Sequence, residues 1–507
     1  MLFKVNRSEH YDIAIAGAGF AGAITALVLK ECGFNICLIE KGKHPRFAIG
    51  ESSTPIADMI LRSLSSKYNL PWLYDFSRYG SWQQAHPEIV CGIKRGFSYY
   101  KHYPGKAFST DDNHINELLV AASVSDELSD TNWLRSDIDA FLVTKVREAG
   151  IGYFDGTEIT SAIRENSKWE IAANYNNNNQ TIHASFFIDA TGSGILADKL
   201  FSVKSSAENF LTNSFAIFSH FDNLPRWTDI LRQKNIATND YPYDADNSAL
   251  HHVLDEGWIW QLRFNNNRTS WGFVLNANNL SLQKMQTKEI WNMMREKYSD
   301  IDFILKDAML SAQPGNIIRS GRLQRKLEKC FGDGWVAMPH TIGFVDPLFS
   351  TGIAYSLAGI ERIAEILSGN RNFQQPLYDE LQEYENIVTE ELKLIDLLVA
   401  GCYKTMEHFQ LFNAWSMLYF TFTIMYEQKR LKNLPVKYFL EADKAEVQQM
   451  AHSAYKDLLK LTQQETISQA DISAFTDSVR EKIKPYNIAG LMEPSFKNMY
   501  HHTVAVL

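Results

Sequence analysis

Short apolar runs and helical periodicities alternate along the first forty residues in an order that defines one unit. Residues 12–16 predict a buried strand, 17–22 (Gly-Ala-Gly-Phe-Ala-Gly) a tight turn, 21–32 a helix, and 35–40 a second strand ending on Glu40. Together they make a complete βαβ unit. Residues 56–66 read as a helix, followed by a connection rich in Trp and Tyr that ends at Pro87. Residues 88–103 have strand character with Lys94 in their middle, and 133–150 carry an amphipathic helix that Ser136 or Asp137 could cap. Strands and turns fill 151–189, with an asparagine-rich hairpin tip at 174–180, and close on Asp189-Ala-Thr-Gly192. From 214 to 322 the pattern is short strands with the hairpin signal Asn265-Asn266-Asn267 and a helix near 288–298. Residues 335–338 resume a buried strand, 343–352 form a loop, and 353–367 a helix; from 374 onward the signal is helical almost to the end.

The pattern predicts an α/β chain with a Rossmann-like nucleotide-binding domain at 1–200 and 324–370, including inserted strands around 88–110. A β-sheet substrate layer follows at 201–323, and a helical C-terminal cap at 371–507. A length of 507 residues leaves room for about three such units. Hydrophobic content of 45% with 21% charged residues is that of a soluble globular chain, and the 12% aromatic share suggests a cavity lined by rings. The net charge of −9 disfavours nucleic acid as a partner. Cys32, Cys37, Cys91, Cys330 and Cys402 are odd in number, scattered and without metal-ligand spacing, so they read as reduced thiols in a cytoplasmic protein that holds no metal. Residues 1–10 are polar and lack an apolar signal core. The only long apolar run, 409–426, contains Gln410 and Asn413 and is short for a membrane span; a buried or tunnel-lining helix is the expectation.

The βαβ unit carries specific chemistry. Gly17 permits the sharp turn, Gly19 lets backbone approach a pyrophosphate, and Gly22 lets helix and sheet pack closely, while the helix opening at Phe20-Ala21 presents N–H donors to the anion. Glu40 then faces a ribose hydroxyl. A carboxylate at that strand end, rather than Arg, argues against a 2′-phosphate and for FAD or NAD. Arg46 is either a partner for a phosphate or ring edge of that ligand or an ordinary surface cation. Lys94 is an edge charge in solvent or a group held in a cavity, and taken alone it reads as the former.

Taken in order, several motifs make the chain resemble the flavin-dependent halogenases, the branch of the flavoprotein monooxygenase superfamily that uses reduced FAD. They are the glycine turn with Glu40, Arg46 with Gly50-Glu51-Ser52 and Pro55, Lys94 in Gly-Ile-Lys-Arg-Gly-Phe, Arg135 with Asp139, Asp189–Gly192, Gly257-Trp258-Ile259-Trp260, and the loop 343–352. The resemblance covers about the first 370 residues. It implies that FAD is held by the glycine turn, Glu40, Lys41, Arg46, Ser52, Arg135, Asp189, Gly192, Asp346, Gly352 and Ile353. It also implies that O2 and a halide give hypohalous acid at the reduced flavin, and that Lys94 holds this acid and passes electrophilic halogen to the substrate. Backbone amides of Ser350, Thr351 and Gly352 at a helix start suit the chloride or bromide. Trp258 and Trp260 would form a wall between flavin and substrate, or simply two core rings on one face of a strand.

Departures from the family sharpen the expectation. Gln261-Leu262-Arg263 stands where Ile-Pro is usual after the second Trp, and Pro339-His340 where a Gly-Asp pair is common; His340 could donate to a phosphate or sit in the core. Phe349 stands where the tryptophan halogenases carry Glu. Its loss resembles the phenol and pyrrole halogenases, whose electron-rich rings need less help to lose a proton. The expected substrate is therefore a small phenol or pyrrole, free or tethered to an acyl or peptidyl carrier protein. No second βαβ fingerprint for a nicotinamide is present, which fits a separate flavin reductase as partner. A flavin hydroxylase, a flavin-dependent double-bond reductase and a flavin-binding protein with a degenerate site share most of these motifs and stay open at this point.

Overall fold

The computed structural model describes residues 10–176 and 178–502. Of the polar stretch read at residues 1–10 the first nine, and Asn177 of the asparagine-rich tip, lie outside them. A parallel sheet forms the nucleotide-binding unit. Its middle strand His10–Ala16 pairs with Ile36–Ile39 on one side and Asn178–Asp189 on the other, and Gly152–Phe154 and Trp335–Ala337 extend the two flanks. Towards their carboxyl ends these strands are apolar on both faces, as at Ile13–Ala16, Ile36–Ile39 and Phe186–Ile188, because both faces of a parallel sheet are covered. Helix Phe20–Glu31 buries ten of its twelve residues. The second glycine turn returns to the first sheet, as expected, since Asn178–Asp189 runs beside His10–Ala16 with Ala16 opposite Asp189.

A nine-stranded sheet makes the second layer. Alternation along its strands splits them between two cores. Trp258 and Trp260 face the nucleotide-binding unit and the C-terminal helices, while Ile259 between them faces a separate core with Trp227, Trp271 and Trp291. Asparagines 265–267 turn Gly257–Arg263 into Arg268–Asn276, the expected hairpin.

Four readings are corrected. The run 88–103 is not one inserted strand of the nucleotide-binding unit. Cys91–Lys94 pairs only with Asp130–Trp133, whereas Gly96–Lys101 enters the second sheet, because Arg95 turns away to donate its N–H to the Asn247 carbonyl. The helix read at 133–150 is Arg135–Glu148. Leu134 occupies the cap position, Ser136 donates instead to Asp137, and Trp133 completes a strand. The connection before Pro87 holds two short helices, Trp72–Asp75 and Tyr79–Ala85. The C-terminal region, led by Leu377–Thr405 and Phe409–Leu431, ends not in helix but in the strand Met499–Tyr500, added to the second sheet beside Leu119 and Val120.

Helix Phe409–Leu431 is buried along nearly its whole length. Among the described residues no helix is long and apolar enough to cross a membrane, and all five cysteines are free thiols.

Candidate active site

A cleft of about 730 Å3, ample for a dinucleotide, opens beyond the carboxyl ends of the parallel strands. Gly17 has φ +96°, and a Cβ there would stand 2.6 Å from the Ala190 carbonyl oxygen; one on Gly22 would stand 1.9 Å from that of Gly17. The turn therefore tolerates no side chain at either position. At Gly19 the direction is reversed, since a Cβ would point at Nη2 of Arg135, 3.3 Å away, and Nη2 of Arg46, 3.6 Å away. The helix behind it starts without a side-chain cap. Its first amides and two guanidinium groups thus converge on one space, which is the cradle a pyrophosphate needs.

Glu40 closes one side of the cleft. Its carboxylate accepts from the Ala18 N–H at 2.8 Å and the Gly42 N–H at 2.7 Å, with Arg46 at 3.5 Å. One carboxylate therefore fixes the turn, the following loop and a cation together. Glu40→Ala weakens FAD binding by roughly 10- to 100-fold, the loss of a charge-assisted hydrogen bond of about 1.5–3 kcal/mol. Flavin fluorescence titration measures this, and unchanged affinity would contradict the ribose contact.

Phe20, Ala21, Gly192, Gly352 and Ile353 also line this cleft, and Lys41 stands exposed at its rim, paired with Glu158. Arg135 is fully engaged. It grips Asp139 with two nitrogens at 3.0 and 2.9 Å and donates to the Ile49 and Gly50 carbonyls, so it holds the 49–50 loop against the cleft as well as lending charge.

Three other residues expected at the cofactor do not line this cleft. The Asp189 carboxylate accepts from the Thr191 N–H and hydroxyl and shapes the second turn. Asp346 accepts from Ser214 at 2.8 Å and Tyr403 at 2.9 Å, tying the loop to the second sheet and the C-terminal helices. Ser52 forms a backbone bridge to Asn132.

Pro339-His340 has a structural explanation. Pro339 opens a short helix and packs against Gly359. Nε2 of His340 lies 3.1 Å from the Ala190 carbonyl, which can only accept, so the ring carries its proton there; burial pushes its pKa down to about 4. A neutral ring spent on Ala190 locks the second turn and does not donate to a phosphate. Sequence reasoning missed Arg325, whose guanidinium ties Gly192, His340 and Thr341 together from the far side of the cleft.

Lys94 is fully buried. Its ammonium donates to the Ser53 carbonyl at 2.5 Å, lies 3.8 Å from Asp130, its register partner, and sits 4.1 Å above the Phe97 ring. Burial lowers its pKa to about 8, with Asp130, Asp58 and Glu427 opposing that fall. The three acids come from three elements: the strand Asp130–Trp133, the helix Pro55–Lys67 and the helix Phe409–Leu431. All are buried; desolvation raises Asp58 strongly, Asp130 to about 6 and Glu427 to about 8. Arg62 also acts on Asp58 from the same helix, and desolvation favours the protonated form of each acid. Lys94 therefore stands beside a ready store of protons.

Glu427 gives a stability test. Its folded pKa lies above the ordinary carboxyl value, so native binding of the proton stabilises the protein at low pH and that contribution is lost as pH rises from about 4.5 to about 8. Over that window the native protein loses on the order of a few kcal/mol that Glu427→Gln does not lose. Thermal melting at pH 5 and pH 8 shows it as a Tm of the variant that gains on the native value at the higher pH.

The loop before helix Gly352–Gly369 places Ser350 and Thr351 in the interior, with Ser350 at φ +51°; the Ser350 N–H, expected at the halide, donates instead to the Pro347 carbonyl at 3.0 Å and closes the turn. Thr351 caps with no side-chain bond, and beside Gly352 a Cβ would meet open space. Amides of the first turn are thus free of side-chain partners and accessible to a small anion. Trp258 and Trp260 share one strand face, their rings 6.3 Å apart, and His251 packs between Trp258 and Tyr99.

The family model for tryptophan halogenases matches residues 12–67 and 134–412, more than half the chain. The chain belongs to that family of flavin-dependent halogenases. Among its relatives, the monodechloroaminopyrrolnitrin halogenase PrnC of Pseudomonas fluorescens is 24% identical over 427 residues, 82% of this chain and 72% of that one. A chlorinase of carrier-protein-bound 1H-pyrrole-2-carbonyl, also from Pseudomonas fluorescens, is 26% identical and covers 72% of this chain and 76% of its own. The crystal structure of the halogenase PltM superimposes with a TM-score of 0.86 at 24% identity, covering 97% of this chain and 99% of that one. The fold is therefore that of a halogenase, from the glycine turn to the C-terminal cap.

This halogenase departs from the tryptophan-type pattern at Phe349. The ring is buried and stacks on Tyr419, with centroids 4.1 Å apart and planes 11° from parallel; the Tyr419 hydroxyl donates to the Phe349 carbonyl. An aromatic pair fills the space that a loop carboxylate would need.

Proposed function

We propose that the protein halogenates a small electron-rich aromatic ring, a phenol or pyrrole, with Lys94 transferring the halogen. The single observation that carries this reading is the complete enclosure of the Lys94 ammonium beside an aromatic ring and a set of acids, away from bulk water. The pyrophosphate cradle, the ribose carboxylate Glu40 and the clamp of Arg46 and Arg135 fit FAD. When bound and reduced, FAD supplies hypohalous acid from O2 and halide.

Every other contribution belongs to the chain's own residues. The first amides of helix Gly352–Gly369, with that of Thr351, hold the halide. Trp258 and Trp260 keep substrate and flavin apart, and the Lys94 ammonium donates a hydrogen bond to the hypohalous acid in a site that excludes water. Phe349 in place of a carboxylate favours a ring that is already activated. Relatives that chlorinate or brominate carrier-bound pyrrole, and a PltM structure with phloroglucinol and FAD, support both ring classes. A separate flavin reductase supplies the reduced cofactor.

The reading is tested by incubating the protein with a flavin reductase, FAD, NADH and halide against free phloroglucinol, free pyrrole-2-carboxylate and its carrier-bound thioester. Halogenated product from one of these is expected. Flavin oxidation with all three rings returned unchanged would overturn it.

A further inference from the structure

Resting on that reading, one more residue of the halogen-transfer step is legible in the structure. Beside Lys94 lies a second, smaller cavity whose wall includes Phe97, Tyr419, Phe420, Thr423, Ile424 and Glu427. Phe97 is shared, since the Lys94 ammonium lies over its ring. Tyr419, Thr423 and Glu427 follow one another at four-residue spacing on helix Phe409–Leu431, so one helix face presents an aromatic ring, a hydroxyl and a carboxyl group in line. No hydrogen bond to the Glu427 carboxyl group is present among the described residues, although it is buried. The groups that face it are Lys94 and Asp130 from the paired strands, with Tyr419 on its own helix, while Asp58 stands behind Asp130.

We propose that Glu427 is the acid–base residue of halogen transfer, giving its proton to the hydroxyl that leaves hypohalous acid and taking up the proton that the ring loses. The carbon–halogen bond forms as the oxygen–halogen bond breaks, so the halogen is reduced by two electrons and the ring carbon oxidised by two. The departing hydroxide takes the Glu427 proton and becomes water. The ring C–H pair then restores aromaticity while its proton returns to the carboxylate. Arene and hypohalous acid thus give aryl halide and water, and Glu427 is left as it began.

A carboxyl group that keeps its proton near neutral pH suits the first half of this cycle, and desolvation gives Glu427 that property. Its place also answers the loss at position 349. Phe349 stacks on Tyr419, two helical turns before Glu427, so the acid enters from the C-terminal helix instead of the loop. The cavity is only about 40 Å3, room for a water and not for a ring. Its wall also includes Ala489, Leu491 and His502, and Asn487 ties that segment with two hydrogen bonds to Leu491.

The test compares native protein, Glu427→Gln and Glu427→Asp with phenol substrate, and in parallel with a β-diketone trap that captures released hypohalous acid. Glu427→Gln is expected to lower kcat for aryl halide about 100-fold with KM little changed, to keep the native rate of trap halogenation, and to be partly rescued by Glu427→Asp. A Gln variant with native kcat, or one whose trap signal falls in step with product, overturns the assignment. Native protein that halogenates no ring overturns the proposed function and this inference with it; native activity beside an unaffected Gln variant overturns this inference alone.

Discussion

Lys94→Ala abolishes halogenated product while FAD binding persists. The amine is the fully buried cation that faces Asp58, Asp130 and Glu427, and its N–H groups hold hypohalous acid in place for transfer. Loss of a positioned donor and proton-transfer group of this kind costs about 100- to 10,000-fold in rate. FAD binding survives because the cradle at Gly19, Glu40, Arg46 and Arg135 is built from other elements. The acids left behind keep their protons instead of standing as unpaired charges, since desolvation already raises their pKa values. Lys94→Met, which keeps the length of the side chain, separates charge from packing. Liquid chromatography with mass spectrometry reads aryl halide and flavin fluorescence reads cofactor; retained activity in either variant removes Lys94 from the mechanism.

Gly19→Val eliminates FAD binding and leaves the fold standing. The backbone at Gly19 is extended, with φ −70° and ψ 175°, so it accepts a side chain without backbone strain, at the cost of a small shift of Nη2 of Arg135. Its Cβ would enter the space between Arg46 and Arg135, which a pyrophosphate must occupy. Affinity is expected to fall at least about 100-fold, roughly 2.7 kcal/mol, with the thermal melt of the flavin-free protein unchanged. Gly22→Ala is the contrasting variant. Its Cβ meets backbone, so it should melt earlier as well as bind less. Equal flavin affinity of Gly19→Val and native protein would place the cofactor elsewhere.

The nucleotide-binding half of this site is legible along the chain because its parts are close in sequence. A strand, three glycines, a helix and an acid fall within thirty residues, and each has a local reason to be there. Phe349 is legible for a different cause, as a break in a motif. What the sequence hides is the set of acids around Lys94. Asp58, Asp130 and Glu427 are 36, 36 and 333 positions away from it in the chain, and only the crossing of a helix, a strand pair and the C-terminal cap brings them together. Asp58 did leave a signal, a carboxylate between Ile56 and Ile60 on the buried side of its helix. Glu427 left a weaker one, an acid at the end of the longest apolar run. Asp346 shows the reverse error. Its motif placed it at the cofactor, while its side chain is spent on Ser214 and Tyr403, because the spacing of a motif fixes where the backbone passes and not which way a carboxylate turns. The strand around Lys94 misled for a similar reason. Periodicity runs unbroken through Arg95, and the change of sheet there is imposed by partners distant in sequence.

The most direct measurement is the mass of the product made from one phenol substrate in parallel reactions with chloride and with bromide, under flavin reductase, FAD and O2. The product masses are expected to change with the halide, each with its halogen's isotope pattern, and neither product is expected when Lys94 is replaced. A product that gains oxygen and has the same mass in both salts would contradict it.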